Sequence, residues 1–170
     1  MNVTLAAWNQ TDETAAMDKM MACCGSKRWA TAMVALRPIV SVEELSTSAD
    51  RVWTTMLEAD WLEAFACHPR IGERKATAHA GAQSTTWSKQ EQARATTADD
   101  SLLAELTELN ELYEQRFGFT YIVCATGKSA EEMLAILRRR LTSSREAELQ
   151  EAAEQQRQIL QIRLGKWLVE

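Results

Sequence analysis

Glycine and proline are scarce in this chain, six and two among 170 residues, while Ala, Leu, Glu, Gln, Arg and Met dominate. Helix breakers are rare and helix formers abundant, which predicts an all-α protein. Histidine occurs only as His68 and His79, and with Cys67 these match no metal-ligand template, so no metal site is expected. Cysteines stand at 23, 24, 67 and 124. The adjacent pair Cys23-Cys24 suits neither a disulfide framework nor a zinc knuckle, so all read as reduced thiols, mostly in the core. There is no cationic excess: 19 Lys+Arg against 24 Asp+Glu give a net charge of -5. That balance excludes a general attraction for nucleic acid or an anionic membrane, and any anionic ligand must be held by local cations. No apolar run approaches a membrane span, and Met1 to Trp8 has neither the basic start nor the apolar stretch of a signal peptide. The expected address is cytoplasmic.

What is present fits one domain over residues 1–170, with 46% hydrophobic and 25% charged residues and length enough to bury a core without disulfides or metal. Four Ser-x-x-Glu pairs offer helix starts: Ser41 with Glu44, Ser88 with Glu91, Ser129 with Glu132, and Ser143 with Glu146. From these the sequence predicts a bundle of about eight helices, at 12–22, 27–35, 42–59, 61–66, 89–97, 100–116, 130–141 and 144–165. The sixth has Leu102, Leu103, Leu106, Leu109 and Tyr113 on one stripe, with Glu105, Glu108, Glu111 and Glu114 off it. The eighth should bury its C-terminal half through Ile159, Leu160 and Leu164. Two stretches interrupt the helices. Residues 68–87 read as a long surface loop, and the apolar run from Gly118 to Ala125 reads as an extended, buried connector.

Scaffolds present reacting groups at helix ends beside loops. His68 follows Trp61-Leu62 and Phe65-Ala66 and precedes Pro69, which forces the chain extended, so its imidazole stands at a helix-to-loop junction. Its near-neutral pKa suits proton transfer. A terminal histidine capping the last carbonyls fits equally well. Ser88 and Glu91 are explained by a capping box without catalysis. Alternatively, Glu91 beside His68 would stabilise the imidazolium and fix its orientation. Gln92 offers a donor and an acceptor to a ureido or lactam edge, or is a solvated helix residue. Arg163, within the apolar Ile159 to Leu164, needs a carboxylate, supplied by a substrate or by an internal glutamate. Arg70 and Arg74 read as solvated surface cations. No glycine-rich phosphate loop, Gly-x-Ser-x-Gly elbow or His-Glu-x-x-His appears. Nothing in the sequence around Cys67 suggests an activated thiol, so it does not read as a nucleophile.

Taken in order, His68-Pro69-Arg70-Ile71-Gly72, Trp87-Ser88-x-x-Glu91-Gln92, Leu109-Asn110-x-x-Tyr113-x-x-Arg116-Phe117-Gly118-Phe119 and Ile162-Arg163-Leu164 resemble the 2-oxo-4-hydroxy-4-carboxy-5-ureidoimidazoline (OHCU) decarboxylase family. The resemblance spans nearly the whole chain. It implies an all-α domain, commonly a homodimer, that converts OHCU from urate degradation into (S)-allantoin and carbon dioxide without a cofactor. It makes His68 and Glu91 the catalytic pair. It places Pro69, Ser88, Gln92 and Arg163 on the substrate, with backbone groups of Ile122, Val123 and Ala125 closing the pocket. Tyr121 stands where the family often has Phe, and Thr142 where an Asn commonly follows Arg-Leu. The end of the chain, Lys166 to Glu170, is not a Ser-Lys-Leu-type peroxisomal address, which fits the cytoplasmic expectation. A non-catalytic helical interaction module and an enzyme acting on another ureide remain as competing readings.

Overall fold

A computed structural model describes residues 2–73, 81–95 and 98–170. Among these the chain forms helices and no strand: α1 (Val3–Gln10), α2 (Glu13–Cys24), α3 (Lys27–Ala35), α4 (Val42–Trp53), α5 (Glu58–Ala66), α6 (Ala82–Glu91), α7 (Asp100–Phe117), α8 (Ala130–Arg140) and α9 (Arg145–Trp167). The all-α class is therefore what the chain adopts. It divides into two compact units, Met1–Ala64 with Arg157–Glu170, and Phe65–Gln156.

In the first unit, α1 was not expected from the sequence. Eight residues are too few to hold a helix unaided, and tertiary ties supply the rest. Asn2 accepts from the Leu5 N–H at 3.0 Å and donates to the Leu168 carbonyl at 3.0 Å, while Trp8 meets Trp167 edge-on at 5.8 Å. The helix expected over 42–59 stops at Trp53. The hydroxyls of Thr54 and Thr55 bond back to the carbonyls of Arg51 and Val52, both at 2.7 Å, and ending the helix there frees Leu57 to donate to Asp60 at 2.9 Å, which starts α5 early. Trp29 is fully buried with its indole N–H on the Ala49 carbonyl, 3.1 Å away. The C-terminal part of α9 buries Ile159, Leu160 and Leu164 as expected. It is fastened to α4 by Gln161, which donates to Ser46 and Asp50, and by the Arg157–Asp50 ion pair at 2.9 Å.

In the second unit, the buried stripe of α7 runs Leu106, Asn110, Tyr113, Phe117, one step round from the expected leucine stripe and with a polar residue inside it. Phe117, Phe119 and Tyr121 gather round Tyr113 at centroid separations of 4.7, 5.8 and 5.3 Å, each such pair adding about 0.5–1.5 kcal/mol beyond its burial. Gly118, at φ 82, ends α7 in the left-handed conformation and releases the connector. Residues 121–125 are buried, as expected, and lie outside any helix. Ser129 and Glu132 form a complete capping box at α8. At α9 the cap is Ser144, accepting from the Ala147 N–H at 3.2 Å, rather than the predicted Ser143.

Candidate active site

The sequence places a helix start at Ser88, and the structure corrects this. The α6 helix begins at Ala82, so Ser88 and Glu91 lie in its last turn and Gln92 is its C-cap. Neither residue forms the expected N-terminal capping box, because the backbone there is already helical, with the Gln92 N–H on the Ser88 carbonyl at 3.0 Å. The predicted loop over 68–87 is accordingly cut short at its far end.

Ser84, Trp87, Ser88 and Gln92 form the buried face of this end of α6, with Glu91 half-buried beside them. A helix normally gives such a stripe to apolar side chains, since burying hydroxyls and amides costs free energy unless they gain partners. A carboxylate at a helix C-terminus is also set against the macrodipole. Ser84 was not singled out from the sequence, though Ser84-x-x-Trp87-Ser88-x-x-Glu91-Gln92 has the spacing of one helical face.

His68 stands at the helix-to-loop junction where the sequence placed it, two residues past α5, with its backbone N–H on the Phe65 carbonyl at 3.0 Å and only 8% of its surface exposed. Pro69 is half-buried. The loop that follows is fixed from three directions. The Gly72 N–H donates to Gln92 Oε1 at 3.1 Å. Asn110 Nδ2 donates to the Ile71 carbonyl at 3.2 Å. Arg70 forks onto Glu114, Nε to Oε1 at 2.9 Å and Nη2 to Oε2 at 2.7 Å. Arg70 is therefore not the solvated cation expected. The hydrogen bond and charge of Glu114 raise its pKa further, and its guanidinium is committed to holding the loop. Arg74 and His79 lie outside the described residues.

Ile122, Val123 and Ala125 are buried in the same unit. Arg140, 3% exposed, donates from Nη1 to the Ile122 carbonyl at 2.6 Å and from Nε to Glu148 at 2.6 Å, and Tyr113 donates its hydroxyl to the same carboxylate oxygen. Sequence reasoning passed over Arg140 and Glu148, because each belongs to a helix rich in its own charge and only the fold reveals which charges are enclosed. Arg163 is buried in the first unit, near enough to Cys23 for its charge to oppose the burial that pushes that thiol up. Cys23, Cys24 and Cys124 are buried and Cys67 half-buried, all as free thiols. Among the described residues no three His, Cys, Asp or Glu side chains are grouped to hold a metal, and no helix is long and apolar enough to cross a membrane.

These motifs coincide with what the chain is similar to. The model of the OHCU decarboxylase family matches residues 9–165. The uric acid degradation bifunctional protein of Arabidopsis thaliana is 37% identical over 150 residues, covering 88% of this chain and 46% of its own length. The chain thus spans less than half of that relative. The 2-oxo-4-hydroxy-4-carboxy-5-ureidoimidazoline decarboxylase of Haloferax volcanii is 27% identical over 169 residues, covering 96% of this chain and 95% of its own. A crystal structure of OHCU decarboxylase in the presence of (S)-allantoin superposes with a TM-score of 0.77 at 32% identity, over 90% of this chain and 99% of that one. With the family model matching from the end of α1 almost to the end of α9, the chain belongs to the OHCU decarboxylase family.

Proposed function

We propose that this protein decarboxylates OHCU to (S)-allantoin and carbon dioxide by acid/base catalysis without a cofactor, with His68 and Glu91 as the catalytic pair. The observation that carries the reading is the hydrogen bond from the Gly72 N–H to Gln92 Oε1, because it ties the histidine-bearing loop to the end of α6 one residue past Glu91.

The substrate carries its carboxylate on a carbon that also bears a hydroxyl and adjoins a C=N bond. As the bond to the carboxylate carbon breaks, its electron pair moves towards that C=N bond, whose nitrogen takes up a proton, and an enol remains. His68 manages the hydroxyl proton, with Glu91 holding the imidazole in orientation and charge state. The enol becomes a carbonyl when a proton adds to one face of the neighbouring carbon, which sets the S configuration. Gln92 spends its carbonyl oxygen on Gly72, so it offers the substrate its NH2 group, suited to a ureido carbonyl. Ser88 supplies a hydroxyl, Pro69 shapes the loop side, and backbone groups of Ile122, Val123 and Ala125 orient the ureido arm. Arg163 is assigned to an anionic or carbonyl group of the substrate on the family resemblance, with its burial as support.

His68→Asn and Glu91→Gln test the pair. Each is expected to lower kcat on OHCU by at least about a hundredfold, the lower end of what a general acid/base supplies, with helical circular dichroism unchanged. Preserved turnover in both variants contradicts the assignment. We propose further that residues 1–170 act as one catalytic domain and pair as a homodimer, for which sedimentation is the test: a monomer at assay concentration would exclude the dimer.

A further inference from the structure

The segment Tyr121–Ala125 is buried, yet it belongs to no helix, and among the described residues no strand lies beside it. Buried backbone groups need partners, and here, without a sheet, one comes from the backbone, the Lys128 N–H on the Ala125 carbonyl at 3.0 Å, and others from side chains. Lys128 Nζ donates to the Cys124 carbonyl at 2.8 Å, and two further side chains flank Val123. Arg140 Nη1 donates to the Ile122 carbonyl at 2.6 Å, and Gln155 Oε1 accepts from the Cys124 N–H at 2.8 Å. Each is itself aimed by a carboxylate. Glu148 holds Arg140, whose guanidinium also lies 4.9 Å over the Tyr121 ring. Glu151 accepts from Gln155 Nε2 at 3.1 Å. A carboxylate only accepts, so it faces the NH2 of Gln155 and leaves the amide oxygen for Cys124.

We propose that Arg140 and Gln155 are positioning residues, which set where the backbone of Ile122–Ala125 meets the substrate. This rests on the assignment of that backbone to the substrate under the proposed function. Stability alone does not account for the arrangement. Apolar packing stabilises a core as well as or better than a buried arginine–glutamate pair, and Gln155 is only half-buried. What the two side chains add is direction: one donor and one acceptor on either side of Val123, each with its own orienting carboxylate.

The test is steady-state kinetics on OHCU with the enantiomeric purity of the allantoin and the urea midpoint measured alongside. Gln155→Ala is expected to raise KM about fivefold to tenfold, the value of one hydrogen bond, and to lower enantiomeric purity, while the midpoint barely moves. Gln155→Glu places two carboxylates four positions apart on α9 and should be impaired as well. Combining it with Glu151→Gln exchanges amide and carboxylate, restores both hydrogen bonds and should recover KM. Arg140→Lys keeps the charge but lacks the fork that reaches Glu148 and Ile122 together. Its KM should rise further than that of Gln155→Ala, and if it fails to fold the Gln155 series carries the test. Wild-type KM and enantiomeric purity in Gln155→Ala, or no recovery in the exchanged pair, would overturn this proposal alone. A wild-type protein inactive on OHCU would overturn it together with the proposed function.

Discussion

The backbone N–H of Gly72 donates to the side-chain oxygen of Gln92, 3.1 Å away. Through that bond the end of α6 and the loop after His68 keep a fixed spacing, although twenty residues of chain separate the two partners.

Gln92 accordingly has two roles that substitution can separate. Gln92→Glu keeps an acceptor for Gly72 and loses the NH2 group, so it should leave the urea midpoint nearly unchanged and raise KM about tenfold. Gln92→Leu loses both, and leaves a backbone N–H without its acceptor. It should lower stability by about 1–3 kcal/mol in addition. Equal midpoints for the two variants would contradict the tie.

Gly72 has φ +84, and a Cβ there would come within 3.4 Å of Leu103 Cδ2. Gly72→Ala adds left-handed strain to that close contact and should cost about 1–2 kcal/mol in urea unfolding. A neutral or stabilising effect would show that the loop relaxes away from α7.

How far these features could be read in advance differs from element to element. The α3 range was predicted to the residue, and α7 and α8 to within one, because strong formers and a cap or a left-handed glycine bound them. The α6 helix was misplaced because Ser88-x-x-Glu91 imitates a capping box, whereas the real start at Gly81 has no side-chain cap. Its buried face is mostly polar, so hydrophobic periodicity could not reveal it. The residues proposed for the site come from the resemblance. That Asn110, Glu114 and Gln92 hold the loop was not legible, since those contacts link positions twenty or more apart.

Enclosed and half-exposed ion pairs should respond very differently. Glu148→Ala strands the Arg140 guanidinium and the Tyr113 hydroxyl in the interior and should cost about 3–5 kcal/mol. Glu114→Ala removes the partner of Arg70, with both side chains about a third exposed or slightly less, and should cost about 1 kcal/mol or less. Comparable losses in urea midpoint would contradict the burial argument.

Alkaline stability follows from groups held protonated by burial. Burial pushes the Cys23 thiol and the Tyr113 and Tyr121 hydroxyls well above their ordinary ranges, outweighing the nearby Arg163 or Arg140 charges that pull the other way. Folding therefore favours their neutral forms. The stability this gives is complete below the unfolded values, about 8.5 for Cys and about 10 for Tyr, and is lost as pH rises towards the raised folded values. The urea midpoint should fall above about pH 9, and Tyr113→Phe, which lowers the neutral midpoint by removing the bond to Glu148, should make that alkaline fall less steep. A midpoint flat to about pH 11 would contradict it.

The most direct measurement generates OHCU enzymatically from urate, adds this protein, and follows allantoin by circular dichroism. Rapid appearance of the S enantiomer, abolished by His68→Asn and by Glu91→Gln, is the predicted result. A rate and an enantiomer ratio equal to those of the spontaneous reaction would contradict the account.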